Sequence, residues 1–224
     1  KFYRNNFILY SSLSNFITYM FKQFSILTLL LLGMNSIFAN DAPYPLYPIT
    51  LKTHEIIRTG EAYIQSNPEI EGPGRHYHGY ILIDASVQDV YNVVKDFQSY
   101  PQFMPHIVNV DAVATDRGIN FRYFLQLPLG VEYQYEISDQ SYASSNEAWL
   151  TWKISSWEEN NIENTWGQWM LTPYKDSSFT LVQYQVYTDL GYIPFGLGWI
   201  VDFLTEYSLP EVLLNTKEYI EAHD

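Results

Sequence analysis

The sequence contains no cysteine. Disulfides, thiolate metal ligands and cysteine nucleophiles are therefore excluded, whatever compartment the chain works in. Charge is also scarce, at 17% of the residues against about 25% in ordinary globular proteins. Basic charge is scarcest. Twelve Lys and Arg stand against 25 Asp and Glu, a formal balance of −13, so phosphate backbones repel the chain and nucleic acid is not expected as a partner. The sequence also has no G-x-S-x-G elbow, P-loop or dinucleotide fingerprint. What it has instead is apolar mass: 47% of its residues are hydrophobic and 17% are aromatic. That composition excludes disorder, and 224 residues suffice for one sizeable domain with its own core.

The first methionine is Met20, followed by Lys22, an apolar run from Phe24 to Gly33 and the ending Ser36-Ile37-Phe38-Ala39. A basic start, a short apolar stretch and a small final residue make residues 20–39 a secretory leader, with cleavage expected after Ala39. The apolar run is short for a membrane span of about 20 residues. An uncleaved anchor is the alternative, because Ile37 stands where a smaller residue is usual. Residues 1–19 are expected to be translated upstream sequence or an over-long gene model. Residues 40–50, with Pro43, Pro45 and Pro48, read as an extended tether, and residues 51–224 as a single domain of an exported protein, periplasmic or secreted.

Within that domain a helical turn is expected over Leu51 to Arg58, stopped by Gly60, then strands over 61–66 and 76–84 separated by a Gly- and Pro-rich turn. Ser86 starts a helix with Asp89 three residues on as a weak capping box. Val87, Val90, Tyr91, Val94 and Phe97 form its apolar face. Pro101 and Pro105 bracket Phe103 and Met104, so the chain must leave that helix in a tight aromatic turn. Strands follow at about 107–115, 119–127, 131–138, 147–155, 164–172 and 178–188. In the clearest, Val131, Tyr133, Tyr135 and Ile137 share one face and Glu132, Gln134 and Glu136 the other, as in a sheet with one wet side. A last helix carries Ile200, Phe203, Leu204 and Tyr207, then Val212, Leu213, Thr216 and Ile220, with Pro210 expected to kink or divide it. The order predicts an α+β fold in which one curved sheet and one long helix close around a core or a cavity.

Several short motifs recur at similar places in one known group: Gly79-Tyr-Ile-Leu-Ile-Asp-Ala-Ser-Val-Gln-Asp-Val-Tyr91, Asp96-Phe97-x-x-Tyr100-Pro101-x-Phe103-x-Pro105, Gly167-x-Trp169-x-Leu171-x-Pro173, Tyr184, Ile193-Pro194 and Leu209-Pro210-x-x-Leu213-x-Asn215. On these residues the chain resembles the START-like, or SRPBCC, superfamily of helix-grip domains, the polyketide cyclase/dehydrase and lipid-transport group, in its exported bacterial type. The resemblance implies a helix-grip fold, a curved antiparallel β-sheet wrapped around a long C-terminal α-helix. It also implies an internal tunnel for a hydrophobic ligand such as a lipid, sterol, quinone or polyketide. It does not imply catalysis, since fold membership does not settle function.

The candidate ligand-binding residues fall into two sets. Phe97, Tyr100, Phe103 and Met104 either line the tunnel mouth or fix how the first long helix turns onto the sheet, with Asp96 bonding nearby backbone; the structural reading is favoured. Phe121, Tyr123, Tyr133, Tyr135, Trp152, Trp169, Tyr184, Phe203 and Tyr207 fall on the apparent inner faces. There they either clamp an apolar ligand, with tyrosine hydroxyls orienting its polar end, or fill the interior. His76 and His78 share one side of a strand, but a metal site needs a third and usually a fourth ligand and no HExxH partner occurs; surface or tyrosine-contacting histidines are expected. Alternation sends Arg122 to the face opposite Phe121 and Tyr123, for surface ion pairing. Glu158 and Glu159 sit in a polar loop with Asn160 and Asn161 and read as solvated.

No catalytic residue, metal or cofactor is called for. The expected function is non-catalytic binding or transport of a hydrophobic small molecule by a monomer, with transient membrane contact left open. Two rivals stand beside it. One is a polyketide cyclase or aromatase-type enzyme using cavity tyrosines, whose mark would be a polar dyad inside the tunnel. The other is a protein-interaction module with a filled core, whose mark would be a contiguous exposed aromatic patch.

Overall fold

Ser86 accepts a hydrogen bond from the Asp89 N–H at 3.2 Å and its hydroxyl bonds the Asp89 carboxylate. This cap starts the first long helix where the sequence predicts it, and Val87, Val90, Tyr91 and Val94 are all buried. The structure is a computed structural model that describes residues 44, 47–67, 73–175, 178–193 and 198–223. The expected leader, the segment before it and most of the tether lie outside the described residues. Thr50 caps α1 (Leu51–Ile57). The order continues with β1 (Tyr63–Ser66), β2 (Arg75–Ile83), α2 (Val87–Lys95), a 3₁₀ turn (Phe97–Gln102), β3 (Ile107–Thr115), β4 (Gly118–Leu127), β5 (Val131–Ala143), β6 (Ala148–Ile154), β7 (Asn164–Pro173) and β8 (Thr180–Asp189). α3 (Trp199–Phe203), a π-helical turn (Leu204–Ser208) and α4 (Leu209–Glu221) end it. Among the described residues no helix is long and apolar enough to cross a membrane.

All eight strands form one antiparallel sheet in the order β1-β2-β8-β7-β6-β5-β4-β3. Strand β5 runs past the expected 138 to Ala143, because Tyr142 pairs with Trp149 of β6 and their rings stack at 6.1 Å. The C-terminal helical run from Trp199 to Glu221 is continuous but changes type. Pro210 has no N–H to offer the turn before it, and that turn is widened to π geometry.

The sheet's inner face carries Ile81, Ile83, Leu150, Trp169, Leu171 and Val182 into one core with Val90 and Val94 of α2 and Leu213 and Ile220 of α4. Helix α4 approaches β2 very closely. A Cβ on Gly79 would lie 2.6 Å from Leu213 Cδ1 and 2.9 Å from Ile64 Cδ1, so any larger residue would have to displace these side chains. At its far end Lys217 Nζ donates to the Leu82 carbonyl at 2.8 Å and pairs with Glu221, whose carboxylate accepts the Asp84 N–H at 2.9 Å.

The outer face is not simply wet. Under α1 a second cluster forms from Ile57, Tyr80, Leu82 and Leu181. Beside it lie His76 and His78, expected at the surface or against tyrosine, and only the tyrosine contact is found. They are 4% and 6% exposed, because alternation places them with Tyr80 and Leu82 on a face that Tyr47 covers. The Tyr47 ring lies 3.8 Å from that of His78, and His76 packs 5.1 Å from Trp166 and bonds Gln185 at 2.9 Å.

Burial lowers the His76 pKa to about 4, and burial together with the neighbouring His76 lowers that of His78 to about 4. The unfolded chain protonates both near 6.5 and the folded chain resists until about 4, so the unfolded state holds more protons in between. Their contribution to stability is therefore full above pH 6.5 and is lost as pH falls to 4. In thermal unfolding followed from pH 7 to pH 4, the His76→Gln/His78→Gln variant is expected to show a shallower fall in midpoint than the wild type. Parallel curves would contradict buried, neutral imidazoles.

Candidate functional site

Alternation along the strands decides what faces inward. On β4 these are Tyr123, Leu125 and Leu127; on β5, Tyr133, Tyr135 and Ile137; on β8, Tyr184, Val186 and Thr188. With Trp152 of β6, Thr165 and Trp169 of β7 and the helical residues Val201, Leu204, Ser208, Leu209 and Val212, they enclose a cavity of about 310 Å³. The rings therefore do not fill the interior. Depth runs along the strands. Tyr184 pairs with Gly79 under α4, while Thr188 pairs with Arg75 at the rim, where Pro73, Gly74, Asp189, Gly191 and Ile193 form the mouth.

The inner end is a cluster of rings. Tyr123 and Tyr135 stack at 5.4 Å and 6°, Tyr100 meets Tyr123 at 6.1 Å, and Tyr184 lies 4.4 Å from Trp169 and 5.8 Å from Trp152. Trp152 fits because Gly167 has no side chain, and a Cβ there would stand 2.3 Å from its ring. Burial raises the hydroxyl pKa values of Tyr100, Tyr123, Tyr135 and Tyr184, with neighbouring tyrosines adding to this at Tyr100, Tyr123 and Tyr184. These hydroxyls stay protonated at neutral pH. They can donate hydrogen bonds but cannot serve as bases.

Of the residues predicted from sequence, Phe97, Tyr100, Met104, Tyr123, Tyr133, Tyr135, Trp152, Trp169 and Tyr184 line the cavity, and Phe103, Phe121, Phe203 and Tyr207 do not. Phe121 packs edge-on against Phe97, 4.6 Å away, and it is Phe97 that reaches the cavity. Phe103 stacks on Tyr219 of α4 at 4.5 Å. Phe203 lies against His106 at 5.2 Å and stacks on Tyr207, which is 61% exposed. At 3.6 residues per turn Val201, Leu204, Ser208 and Val212 fall on one side of this helical segment and Phe203 and Tyr207 on the other. The first stripe is the one that faces the cavity, with the π turn inside it.

The proline-bracketed turn performs both roles considered for it. Tyr100 donates to the Val94 carbonyl at 2.6 Å and Asn215 of α4 donates to the Phe103 carbonyl at 3.0 Å, while Phe97, Tyr100 and Met104 face the cavity. Asp96 contributes through its carbonyl, which accepts from the Ser99 N–H and hydroxyl; its side chain makes no cap bond to this turn.

On the outer face, Arg122 donates to Glu136 at 2.8 Å and lies 4.6 Å from the Trp157 ring. The pair is more than a surface ion pair, since Glu136 is 5% exposed and also accepts from Asn120 and Ser155. Burial raises the Glu136 pKa, but hydrogen bonds from Ser155, Asn120 and Arg122 and the Arg122 charge outweigh it and hold the carboxyl below its ordinary value. Glu158 and Glu159 are exposed, as expected, whereas Asn160 and Asn161 accept from the Glu136 and Gln134 N–H groups and dock their loop onto β5.

Sequence reasoning missed the aliphatic wall of Ile107, Leu125, Ile137, Val186 and Val212, although strand parity with the named tyrosines already pointed to Leu125, Ile137 and Val186. It also missed two polar lining residues, His106 and Ser208. His106 lies in the turn before β3, outside any periodic pattern, and Ser208 is a polar residue on the helical stripe of Val201, Leu204 and Val212.

The Asn215–Phe103 bond joins two of the motifs that carry the family resemblance. Asn215→Ala is expected to lower stability in urea unfolding by about 1 kcal/mol, and Asn215→Asp by more, since a carboxylate faces a carbonyl. Equal stability of both variants and wild type would contradict the bond.

The family profile described as polyketide cyclase / dehydrase and lipid transport matches residues 83–197. No curated protein sequence matches significantly. Among solved structures, a STAR-related lipid transfer protein from Xanthomonas axonopodis is similar at TM-score 0.59 and 18% identity, covering 72% of this chain and 94% of its own. Human StAR-related lipid transfer protein 5 is similar at TM-score 0.58 and 13% identity, covering 89% and 97%. The Zhui aromatase/cyclase from Streptomyces sp. R1128 is similar at TM-score 0.53 and 12% identity, covering 67% and 95%. At these identities the likeness is one of fold.

Proposed function

The chain belongs to the polyketide cyclase / dehydrase and lipid transport family, and from that premise we propose that it binds or carries one hydrophobic small molecule in its internal cavity without changing it covalently. The observation that carries this reading is the cavity of about 310 Å³, open at its mouth and walled by aliphatic side chains, tyrosines and tryptophans. Small-molecule sites span about 300–1,000 Å³, so the space favours a single compact ligand. Apolar burial supplies affinity at about 25 cal/mol per Å² before ordering costs. Protonated tyrosine hydroxyls supply orientation.

The fold neighbours include both lipid transfer proteins and an aromatase/cyclase. The cavity chemistry favours carriage over proton transfer. The tyrosines are held protonated and so are not bases, Asp139 near them does not line the cavity, and Asp189, the carboxylate among the described lining residues, stands at the mouth and accepts the Gly191 N–H at 2.9 Å. The lining residues His106 and Ser208 do not form a dyad, since neither His106 Nε2 nor Ser208 Oγ has a hydrogen-bond partner. The leader-like segment at residues 20–39 supports a ligand met outside the cytoplasm.

Native mass spectrometry and solvent extraction of the purified protein test the proposal. The wild type is expected to release an apolar small molecule, or to bind one from a panel of fatty acids, sterols and quinones. Val186→Trp, which fills the cavity from its wall, is expected to lose that binding while remaining folded. A wild type that releases nothing and binds no member of the panel would overturn it.

A further inference from the structure

A tyrosine inside a protein ordinarily finds a partner for its hydroxyl. Elsewhere in the domain this holds. Tyr100 donates to the Val94 carbonyl at 2.6 Å, Tyr187 accepts from the Gly74 N–H at 3.1 Å and Tyr219 donates to Gln102 at 3.2 Å. Three hydroxyls at the inner end of the cavity differ. Those of Tyr123, Tyr135 and Tyr184 make no hydrogen bond to any described residue, and burial raises their pKa values with no hydrogen bond to offset it. They are also not among the sealed polar atoms that lack a partner, which are His76 Nδ1, His106 Nε2, Gln168 Oε1 and Ser208 Oγ. A hydroxyl that is neither bonded nor sealed opens onto free space, and for these three lining residues that space is the cavity.

Two of the three stand side by side. Tyr123 of β4 and Tyr135 of β5 are directly paired across the antiparallel ladder, so both project to the same face from neighbouring Cβ atoms. Their ring planes lie 6° apart and their centroids 5.4 Å apart. Parallel rings that leave neighbouring strands in one direction hold their hydroxyls at a spacing close to that of the rings. A hydrogen bond between two oxygens spans about 2.8 Å, so both hydroxyls reach one oxygen placed between them. Tyr184 stands apart from this pair, its ring lying on Trp169 and Trp152. Along the same two strands Leu125, Leu127 and Tyr133 follow toward the mouth and wall the way in.

Resting on the reading of the cavity as a ligand site, we propose that Tyr123 and Tyr135 are its specificity pair, two phenolic donors that together hold one neutral carbonyl oxygen of the ligand, so that the molecule lies oxygen-first with its apolar body toward the mouth. A carbonyl oxygen has two lone pairs and no proton of its own, which matches two donors. The pair orients and does not transfer protons, since burial keeps both hydroxyls protonated. A carboxylate is disfavoured. Among the described lining residues the full charges are Arg75 and Asp189, of opposite sign and both at the mouth. The charge felt at Tyr123 is that of Asp139, which adds to the rise of its pKa. An anion held by the pair would meet like charge with no net cation in the lining to compensate it.

Infrared spectroscopy of bound 1-indanone, labelled with carbon-13 at its carbonyl, provides the test together with equilibrium dialysis of indane, 1-indanone and indane-1-carboxylate, which share one apolar body. In wild type the carbonyl stretch is expected below its position in hexane, as for a doubly hydrogen-bonded ketone. Tyr123→Phe and Tyr135→Phe are each expected to move it part of the way back. Each variant is expected to bind 1-indanone about 5-fold more weakly and indane at least as tightly, with near-ultraviolet circular dichroism confirming that it is folded. Indane-1-carboxylate is expected to bind wild type more weakly than 1-indanone. Indane bound while 1-indanone is not, a carbonyl stretch at its hexane position, a stretch that neither variant moves, or a preference for the carboxylate would overturn this inference alone. Failure of indane and 1-indanone alike to bind wild type would overturn it together with the cavity reading.

Discussion

The close seating of α4 on β2 is the contact on which the rest depends. Leu213 lies where a side chain on Gly79 would have to be, and Gly79 pairs with Tyr184 on the next strand, so the helix covers the sheet at the level where the aromatic cluster begins. From that point α4 is fixed along its second half: by Asn215 to the carbonyl of Phe103, and by Lys217 and Glu221 to Leu82 and Asp84 at the end of β2. Helix α2 fills the space beyond with Val90 and Val94. Toward the mouth, by contrast, the sheet and the helical segments enclose a cavity, and the domain is a packed core at one end and a ligand chamber at the other.

The chamber follows from a few local departures from regular structure. The missing side chain of Gly167 lets Trp152 lie over its own sheet and stack on Tyr184. A π turn ahead of Pro210 widens the helical segment where Ser208 belongs to the cavity lining and Tyr207 is out in solvent. The left-handed residue His106 places an imidazole on the wall. Irregular backbone of this kind persists where the surrounding packing holds it, and such positions concentrate at functional sites.

Much of this was legible in the amino-acid sequence. Period-two alternation from Val131 to Ile137 identified the inner face of β5, the Ser86 cap and the spacing of Val87, Val90, Tyr91 and Val94 located α2, and strand parity placed Tyr123, Tyr135, Trp169 and Tyr184 on one face. Parity cannot say how far along a strand a cavity extends, so Phe121, on the correct face, belongs to the packed end behind Phe97. Ile200, Phe203 and Tyr207 suggest an inner helical face by their apolarity, yet 3.6-residue spacing back from Val212 leads to Ser208, Leu204 and Val201, the stripe that lines the cavity. Nor can the sequence show that a second layer covers part of the outer face. His76 and His78 alternate as a wet face would, yet Tyr47 lies over them.

The central claim is that the interior is an open apolar chamber and not a core filled with aromatic rings. A dry, apolar cavity takes up xenon, which neither a packed core nor a polar, water-filled site does. The most direct measurement is a crystal structure of the unliganded protein under xenon pressure. The account predicts ordered xenon in the chamber bounded by Tyr135, Tyr184, Val186 and Val212. Absence of xenon, with the tyrosine and tryptophan rings collapsed together across that space, would contradict it.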